Sequence, residues 1–205
     1  VLCLNGMHKI CKEDPQNKER LRATNVVEDI ASAMKEFGSS RDVQQSAASV
    51  ISRVTSNAEA RTDLVQAGAI RLLVRMLQSF AGDTGVITPT MAALRGLSVE
   101  PSARKDFELS MASKYVIEAM GRHTSLASFQ RDGCAFLSNV SVDLENQDVA
   151  SVSSDLIQAI VNAMDNHKGD DSLVSVACFA LRNLSYEIAN VRRMRNIPGV
   201  FALFD

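Results

Sequence analysis

The sequence of 205 residues contains no tryptophan, two tyrosines and four prolines, and aromatic residues make up only 5% of it. No apolar run approaches the roughly 18–20 residues that cross a membrane as a helix, so the sequence predicts no membrane span. Lys plus Arg total 22 and Asp plus Glu total 24, a net charge of −2. A balance so close to neutral does not indicate nucleic acid or an anionic membrane surface as a partner.

Cysteine is also scarce and is not arranged in pairs. The four cysteines are Cys3, Cys11, Cys134 and Cys178, and no two of them form a Cys-x-x-Cys motif. Three of them fall within a recurring helical segment described below, which favours buried free thiols over disulfides. The cysteines therefore predict a reducing compartment, the cytoplasm or the nucleus.

Residues that carry common catalytic and metal chemistry are few. The sequence has three histidines, no His-Glu-x-x-His motif, no Gly-x-Ser-x-Gly motif and no paired Cys/His metal spacing. Asp170 and Asp171 form a carboxylate pair that lacks the further oxygens of a calcium site. We therefore expect this segment not to be an enzyme, to bind no metal or cofactor, and to have no small-molecule substrate.

One local pattern recurs five times: a small residue, an apolar pair three and four positions later, and another apolar residue at the seventh. Its copies are residues 3–10, 47–54, 90–97, 133–140 and 177–184. The next-to-last residues of the copies are spaced by 44, 43, 43 and 44 residues. These marker residues are Lys9, Arg53, Gly96, Asn139 and Asn183. So regular a period indicates one supersecondary unit copied along an array.

Each copy predicts a helix, because apolar or small residues recur at offsets −10, −6, −3, −2 and +1 from the marker, on one helical face. Small residues at offset −6 predict a close approach of helices. A second helix follows each marker, and Gly68 is the expected stop of one of them. A third helix closes at residues spaced by 43, 43 and 44: Met34, Leu77, Met120 and Met164. No alternating strand pattern occurs, so the predicted fold is all-α.

Several segments resemble an armadillo repeat: VQQSAASVISRV (43–54), LVQAGAIRLLVRML (64–77) and, for the third helix of a repeat, SVACFALRNLS (175–185). HEAT repeats have a similar length. The resemblance implies a right-handed α-solenoid of three-helix repeats, as a single array over residues 1–205. Its parts are a partial repeat 1–37, repeats 41–80, 84–123 and 127–167, and an incomplete repeat 171–205. Because neither end has a polar capping face, we expect a segment of a longer array.

The resemblance also implies where a partner binds. In armadillo proteins the third helices line a concave groove, and in the importin-α type a Trp and an Asn one turn apart hold an extended peptide. The Asn places here are the marker residues. The Trp places are Asn5, Ser49, Ala92, Ala135 and Phe179. Only the last repeat carries an aromatic residue together with an Asn, Phe179 with Asn183, which counts against binding of nuclear import signals.

The candidate partner-binding residues lie along this groove, where Arg53 and Arg131 are expected to clamp carboxylates. They are Arg53, Arg131, Asn139, Phe179, Asn183, Gln45 and Ser49. The expected partner is a protein, in particular an acidic or helical segment. Two other interpretations stay open: the asparagines only hydrogen-bond neighbouring backbone within the array, and the arginines are only solvated.

The predicted function is a protein-interaction scaffold or adaptor. Alternatives are a structural subunit of a large assembly, a regulatory segment of a multidomain enzyme and, more weakly, a nuclear-import cargo adaptor. A broken basic row on the second helices includes Arg61, Arg104 and Arg192, but acidic residues are interleaved with it. We therefore do not expect nucleic acid as a partner.

Overall fold

The structure is a computed structural model and describes residues 26–141, 154–197 and 200. Over these residues the regular secondary structure is entirely helical, with eleven α-helices, one short 3₁₀ helix and no strand. The all-α prediction is confirmed. The expectations for Cys3, Lys9, Asn5 and Cys11 lie outside the described residues.

Within the described ranges 26–141 and 154–197, the helices follow one another through short turns. In chain order they are α1 (Val26–Glu36), α2 (Arg41–Val54), α3 (Ala58–Gln66), α4 (Ala69–Ser79), α5 (Thr84–Leu97), the 3₁₀ helix (Pro101–Ala103), α6 (Arg104–Leu109), α7 (Ala112–Arg122), α8 (Ala127–Ser141), α9 (Ser154–Asn166), α10 (Asp171–Leu184) and α11 (Ile188–Arg195). Side chains of N-cap residues fix three of the starts, because each accepts a bond from an early backbone N–H. These residues are Asn57, Asp83 and Asp170.

The chain divides into two compact units, Val1–Tyr115 and Val116–Asp205, and the boundary falls within α7. In the first unit α2 packs most extensively against α5, while α1 contacts α2, α3 and α4. In the second unit α8 packs most extensively against α10, and α9 contacts both. Fully buried side chains form each core, for example Leu64, Leu73 and Ile87 in the first unit and Phe129 and Phe136 in the second.

Helices of the same kind recur at nearly constant intervals. α2, α5, α8 and α10 begin at residues 41, 84, 127 and 171, which are 43, 43 and 44 residues apart. α1, α4, α7 and α9 begin at residues 26, 69, 112 and 154, at intervals of 43, 43 and 42. The apolar residues ten positions before the described markers are all buried: Val43, Val86, Phe129 and Leu173.

The small residues at offset −6 lie at close helix contacts, as the sequence predicts. Ala47, Thr90 and Ala177 are fully buried. A Cβ added to Gly133 would lie 2.5 Å from Sδ of Met120 and 2.9 Å from its Cγ. Glycine at this point therefore lets α8 approach α7 residues of the second unit more closely than any other residue would.

A buried glutamine closes a helix turn in each unit. Nε2 of Gln44 donates to the carbonyl oxygens of Met34, at 3.0 Å, and Phe37, at 2.9 Å. Nε2 of Gln130 donates to those of Met120, at 2.8 Å, and His123, at 2.9 Å. The two glutamines are 86 residues apart, and their partners lie at the same sequence offsets. Each amide thus supplies a donor to carbonyls at the end of a helix and in the turn that follows it, where Phe37 and His123 also accept from the backbone N–H groups of Ser40 and Leu126.

Among the residues that the structure describes, two adopt left-handed backbone conformations between helices. Gly68, with φ of 79°, separates α3 from α4 and confirms the predicted helix stop. Met111, 43 residues further on, has φ of 53° between α6 and α7. A side chain at positive φ brings Cβ too close to the backbone, so Met111 is strained where Gly68 is not.

We expect Met111→Gly to raise the free energy of unfolding by about 1 kcal/mol, because it relieves this strain and the Met111 side chain is already half exposed. Such a gain raises the melting temperature by about 3 °C for a chain of this size. Gly68→Ala is the matched control. A Cβ there meets no atom within 4 Å, so the expected loss of about 1 kcal/mol would arise from the backbone alone. Equal melting temperatures for Met111→Gly and the parent would contradict the argument.

Candidate functional site

The second unit contains a surface groove between α8 and α10. Its deepest part is a recess of about 290 Å³. The recess is lined by residues of both helices: Ala135, Ser138, Asn139, Ser175, Val176 and Phe179. Because side chains four residues apart share a helical face, Ala135 and Asn139 line one wall while Ser175 and Phe179 line the other.

Two of the predicted site residues line this recess, and two more lie near it on the same helices. Asn139 and Phe179 line it directly. Arg131 lies one turn before Ala135 on α8, and its Nη1 is 3.4 Å from Oγ of Ser172 on α10. Nδ2 of Asn183 donates to Oγ of Ser138 at 3.2 Å, so this amide bonds a side chain of the neighbouring helix rather than the backbone group that one interpretation of the sequence expected.

The Phe179 ring is half exposed, and an arginine of the same chain covers one of its faces. The guanidinium carbon of Arg182 lies 4.7 Å from the ring centroid. This distance is within the range of a cation–π interaction, which fixes both side chains at the edge of the recess. The ring face under Arg182 is therefore not available to a lysine or arginine of a partner.

The other three predicted residues, Gln45, Ser49 and Arg53, lie in the first unit. They occupy successive turns of one face of α2, and Arg53 is exposed. Oε1 of Gln45 accepts from Arg41 at 2.8 Å, and Oγ of Ser49 donates to the carbonyl of Gln45 at 2.8 Å. These polar atoms are thus already engaged within the chain, and Arg53 is the residue of this row best placed to contact a partner.

An exposed ion pair lies beside Gln45. Nε of Arg41 donates to Oδ2 of Asp83 at 2.6 Å, and Asp83 also caps α5. The hydrogen bond from Arg41 holds the pKa of Asp83 below its usual value, and the same bond raises the pKa of Arg41. This pair links the first turns of α2 and α5 and has no acid–base role that the geometry suggests.

Reactive and metal-binding side chains contribute little to the α8–α10 groove or to the face of α2 that carries Arg53. Burial raises the pKa of the Cys134 thiol to about 12, so this thiol is inert at neutral pH. Over the described ranges no cluster of three or more His, Cys, Asp or Glu side chains is arranged to hold a metal ion. Within the same ranges, no helix combines the length and apolarity needed to cross a membrane.

Sequence reasoning missed three residues at the groove, Ser138, Val176 and Arg182. Val176 supplies an apolar wall, and Arg182 covers Phe179. The spacing of three residues between Phe179 and Arg182 is a signal that the sequence does contain, because such residues are neighbours on a helix. Val176 is not one of the residues that the repeat pattern selected, and only the packing of α8 against α10 shows that it lines the recess.

Comparisons with known proteins bear on the fold. No family model matches the sequence, and no curated protein matches it. Among solved structures, a crystal structure of an engineered protein from the Northeast Structural Genomics Consortium is similar, with a TM-score of 0.62 and 17% identity over 88% of this chain and 87% of that one. A second engineered protein gives the same score, identity and coverage of this chain, which matches 53% of its length. The likeness is one of fold alone.

Proposed function

We propose that the chain is a protein-interaction module built as an armadillo-type right-handed α-solenoid, and that it binds a segment of a partner protein in the α8–α10 groove. The recess beside Phe179 is the observation that carries this proposal, because it combines apolar walls with polar groups. Binding sites of this composition place apolar groups in the recess and use a few polar groups for orientation.

The solenoid part of the proposal is supported by regularities in the two units. The helix starts recur every 42 to 44 residues. Gln44 and Gln130 make the same pair of bonds two periods apart, and Gly68 and Met111 share a backbone conformation one period apart. Stacked copies of one supersecondary unit produce such repetition in boundaries, bonds and dihedral angles together.

The chemistry around the recess favours an acidic partner segment. Arg131 and Arg182 are the cations on the two helices that line it, where Arg131 lies beside Ser172 and Arg182 lies over the Phe179 ring. An arginine can bind a carboxylate with two parallel hydrogen bonds. The partner segment would place one aliphatic side chain in the recess beside Val176 and flank it with aspartate or glutamate.

The geometry gives no support to the nuclear-import alternative. That mechanism needs an exposed aromatic face for a basic side chain and a free asparagine amide one turn later. Here Arg182 covers Phe179, and Asn183 donates to Ser138. A basic peptide would also meet the positive charge of Arg131 and Arg182.

The test uses two blocked peptides that share a central leucine, one flanked by glutamates and the other by lysines. We expect the intact chain to bind the glutamate peptide at low ionic strength, more weakly at high ionic strength, and to bind the lysine peptide at least tenfold more weakly. Fluorescence anisotropy of labelled peptides measures both affinities. Equal affinity for the two peptides would refute the assignment of partner charge.

Two variants locate the binding site. Arg131→Glu is expected to weaken binding of the glutamate peptide roughly tenfold, because a clamp becomes a repelling charge. Arg75→Glu, at an exposed position of α4 in the first unit, is the matched control and should change affinity less than twofold. Equal effects of the two substitutions would show that only net charge matters and that the groove is not the site.

A structural subunit of a larger assembly is the second candidate, because large apolar side chains are exposed near α11. Tyr186 is 79% exposed and Ile188 is 71% exposed. Exposed apolar groups of this size are typical of surfaces that a partner covers. A sharp concentration-dependent increase in mass during sedimentation, abolished by Tyr186→Ser with Ile188→Ser, would favour this candidate over a monomeric adaptor.

A further inference from the structure

The second unit has another recess, between α7 and α9, which the predicted function does not use. Its volume is about 270 Å³. Ile117, Met120 and Ala159 form its apolar lining. Its polar lining consists of Thr124, Gln130, Asp155, Gln158, Asn162 and Asn166.

A row of three amides lies along this recess. Gln158, Asn162 and Asn166 occupy successive turns on one face of α9. Nε2 of Gln158 donates to Oδ1 of Asn162 at 2.8 Å. Among the bonds the structure describes, this one leaves the Gln158 carbonyl oxygen and the Asn162 amino group without a partner, so the row can both accept and donate hydrogen bonds.

The amides replace charged residues that related helices carry. One period earlier, on α7, the corresponding residues are Lys114, Glu118 and Arg122. On α4 they are Arg71, Arg75 and Ser79. A solvated helix face is normally charged, as these two rows are. On α9 the row is uncharged, and Asp155 is the single ionised side chain that lines the recess.

The spacing of the amides matches an extended polypeptide. Residues four apart on a helix are separated by about 6 Å along its axis. Alternate residues of an extended chain are separated by about 6.6 Å, and their peptide groups offer one donor and one acceptor each. A side-chain amide offers the same pair of groups. Three amides can therefore bond alternate peptide groups while the intervening side chains point to either side.

We propose that the α7–α9 recess binds an extended segment of a partner protein through its backbone, with one aliphatic side chain inserted between Ile117, Met120 and Ala159. The segment is uncharged apart from one lysine or arginine beside Asp155. The partner residue is expected to be positively charged because the recess lining contains one carboxylate and no cation. This partner differs in charge from the acidic segment proposed for the α8–α10 groove.

The test is an NMR titration of the ¹⁵N-labelled intact chain with the blocked peptide acetyl-Lys-Thr-Leu-Thr-Ser-amide. We expect the side-chain NH₂ resonances of Gln158, Asn162 and Asn166 to shift progressively. A peptide of the same sequence with N-methylated backbone amides keeps the leucine but loses its donors, and its affinity should fall at least tenfold. Absence of shifts in the three amides, or equal binding of the methylated peptide, would overturn the proposal.

Substitutions separate this recess from the other groove. Asn162→Ala removes a donor and an acceptor and should weaken binding roughly tenfold, as expected for two hydrogen bonds. Gln78→Ala, an exposed amide on α4, is the matched control and should leave affinity unchanged. Phe179→Ala should also leave it unchanged, because Phe179 lines the other recess. An Asn162→Ala protein that binds as tightly as the parent would refute recognition by the amide row.

Discussion

Gly96→Ala is expected to lower the free energy of unfolding by about 2 kcal/mol, although alanine is the better helix former. Gly96 lies on α5, where an added Cβ would overlap Oγ1 of Thr55 and would come within 2.6 Å of Cβ and 3.2 Å of Cγ2 of the same residue. Thr55 is buried at the end of α2, and its hydroxyl donates to the carbonyl of Ser52. A short, β-branched side chain held in this way cannot turn aside, so the helices must separate.

The size of this effect follows from two opposing terms. Overpacking a core contact costs up to about 3 kcal/mol, while alanine in place of glycine gains about 1 kcal/mol of helix propensity. Gly121→Ala on α7 isolates the second term, because a Cβ there meets no atom within 4 Å. We expect that control to be neutral or slightly stabilising. Urea denaturation of the three proteins gives the comparison.

A second substitution identifies the clash itself. Thr55→Ala should recover only part of the lost stability, because it removes Oγ1, the atom nearest the added Cβ, but keeps the Thr55 Cβ. Thr55→Gly removes that atom and should recover most of the lost stability when measured against Thr55→Gly alone. If the two substitutions rescued equally, the contact between the Cβ atoms would not be the cause.

Gln44→Leu is expected to lower the free energy of unfolding by about 3 kcal/mol. Gln44 is 2% exposed, and its amide is the donor to the carbonyls of Met34 and Phe37. Leucine preserves the volume but leaves the Met34 carbonyl at the end of α1 without this donor, at a cost of about 1–3 kcal/mol for a buried group, while the Phe37 carbonyl keeps its bond from the backbone N–H of Ser40. Gln78→Leu is the matched control on an exposed surface and should change stability by less than about 0.5 kcal/mol.

The nearly isosteric change Gln44→Glu adds a pH dependence. A buried carboxylate facing two carbonyls is unfavourable, so the pKa of this glutamate would rise above its unfolded value of about 4.3. Its protonated form can donate one hydrogen bond. Relative to Gln44→Leu, the glutamate variant should therefore be more stable below pH 4 and lose that advantage as the pH rises toward 7. A constant difference from pH 4 to 7 would contradict the hydrogen-bonding role.

Gln130→Leu tests whether the equivalent hydrogen bonds in the two units contribute equally to the free energy of unfolding. Gln130 is as buried as Gln44, and its two bonds have nearly the same lengths. The two variants should lose similar stability. Because the chain has two compact units, hydrogen exchange should show the loss near Met34 for one variant and near Met120 for the other.

Much of the helical pattern could be read from the sequence. Apolar offsets from the markers predict which faces are buried, because burial on a helix follows its period of 3.6 residues. The stop at Gly68 was also predictable, since glycine adopts positive φ without strain. The left-handed turn at Met111 was not predictable, because no local feature of the sequence indicates that a methionine adopts positive φ.

The candidate site was less predictable. The 43–44 residue period predicts Asn139 and Phe179 on the groove helices of successive repeats, and both residues line one recess in the structure. The sequence could not show that Arg182 covers Phe179 or that Asn183 is bonded to Ser138. Both contacts depend on which rotamers the side chains adopt and which hydrogen-bond partners they meet, and these depend on the distance between packed helices.

The sequence by itself determined an all-α chain with helices at regular intervals, because periodic apolar positions and turn residues act locally. Only the tertiary structure decided why Gly96 interrupts the row of marker residues: the end of α2 occupies the space that a side chain would need. The recesses beside Phe179 and Asn162 likewise depend on tertiary packing, because each is formed between two helices and neither helix forms it alone.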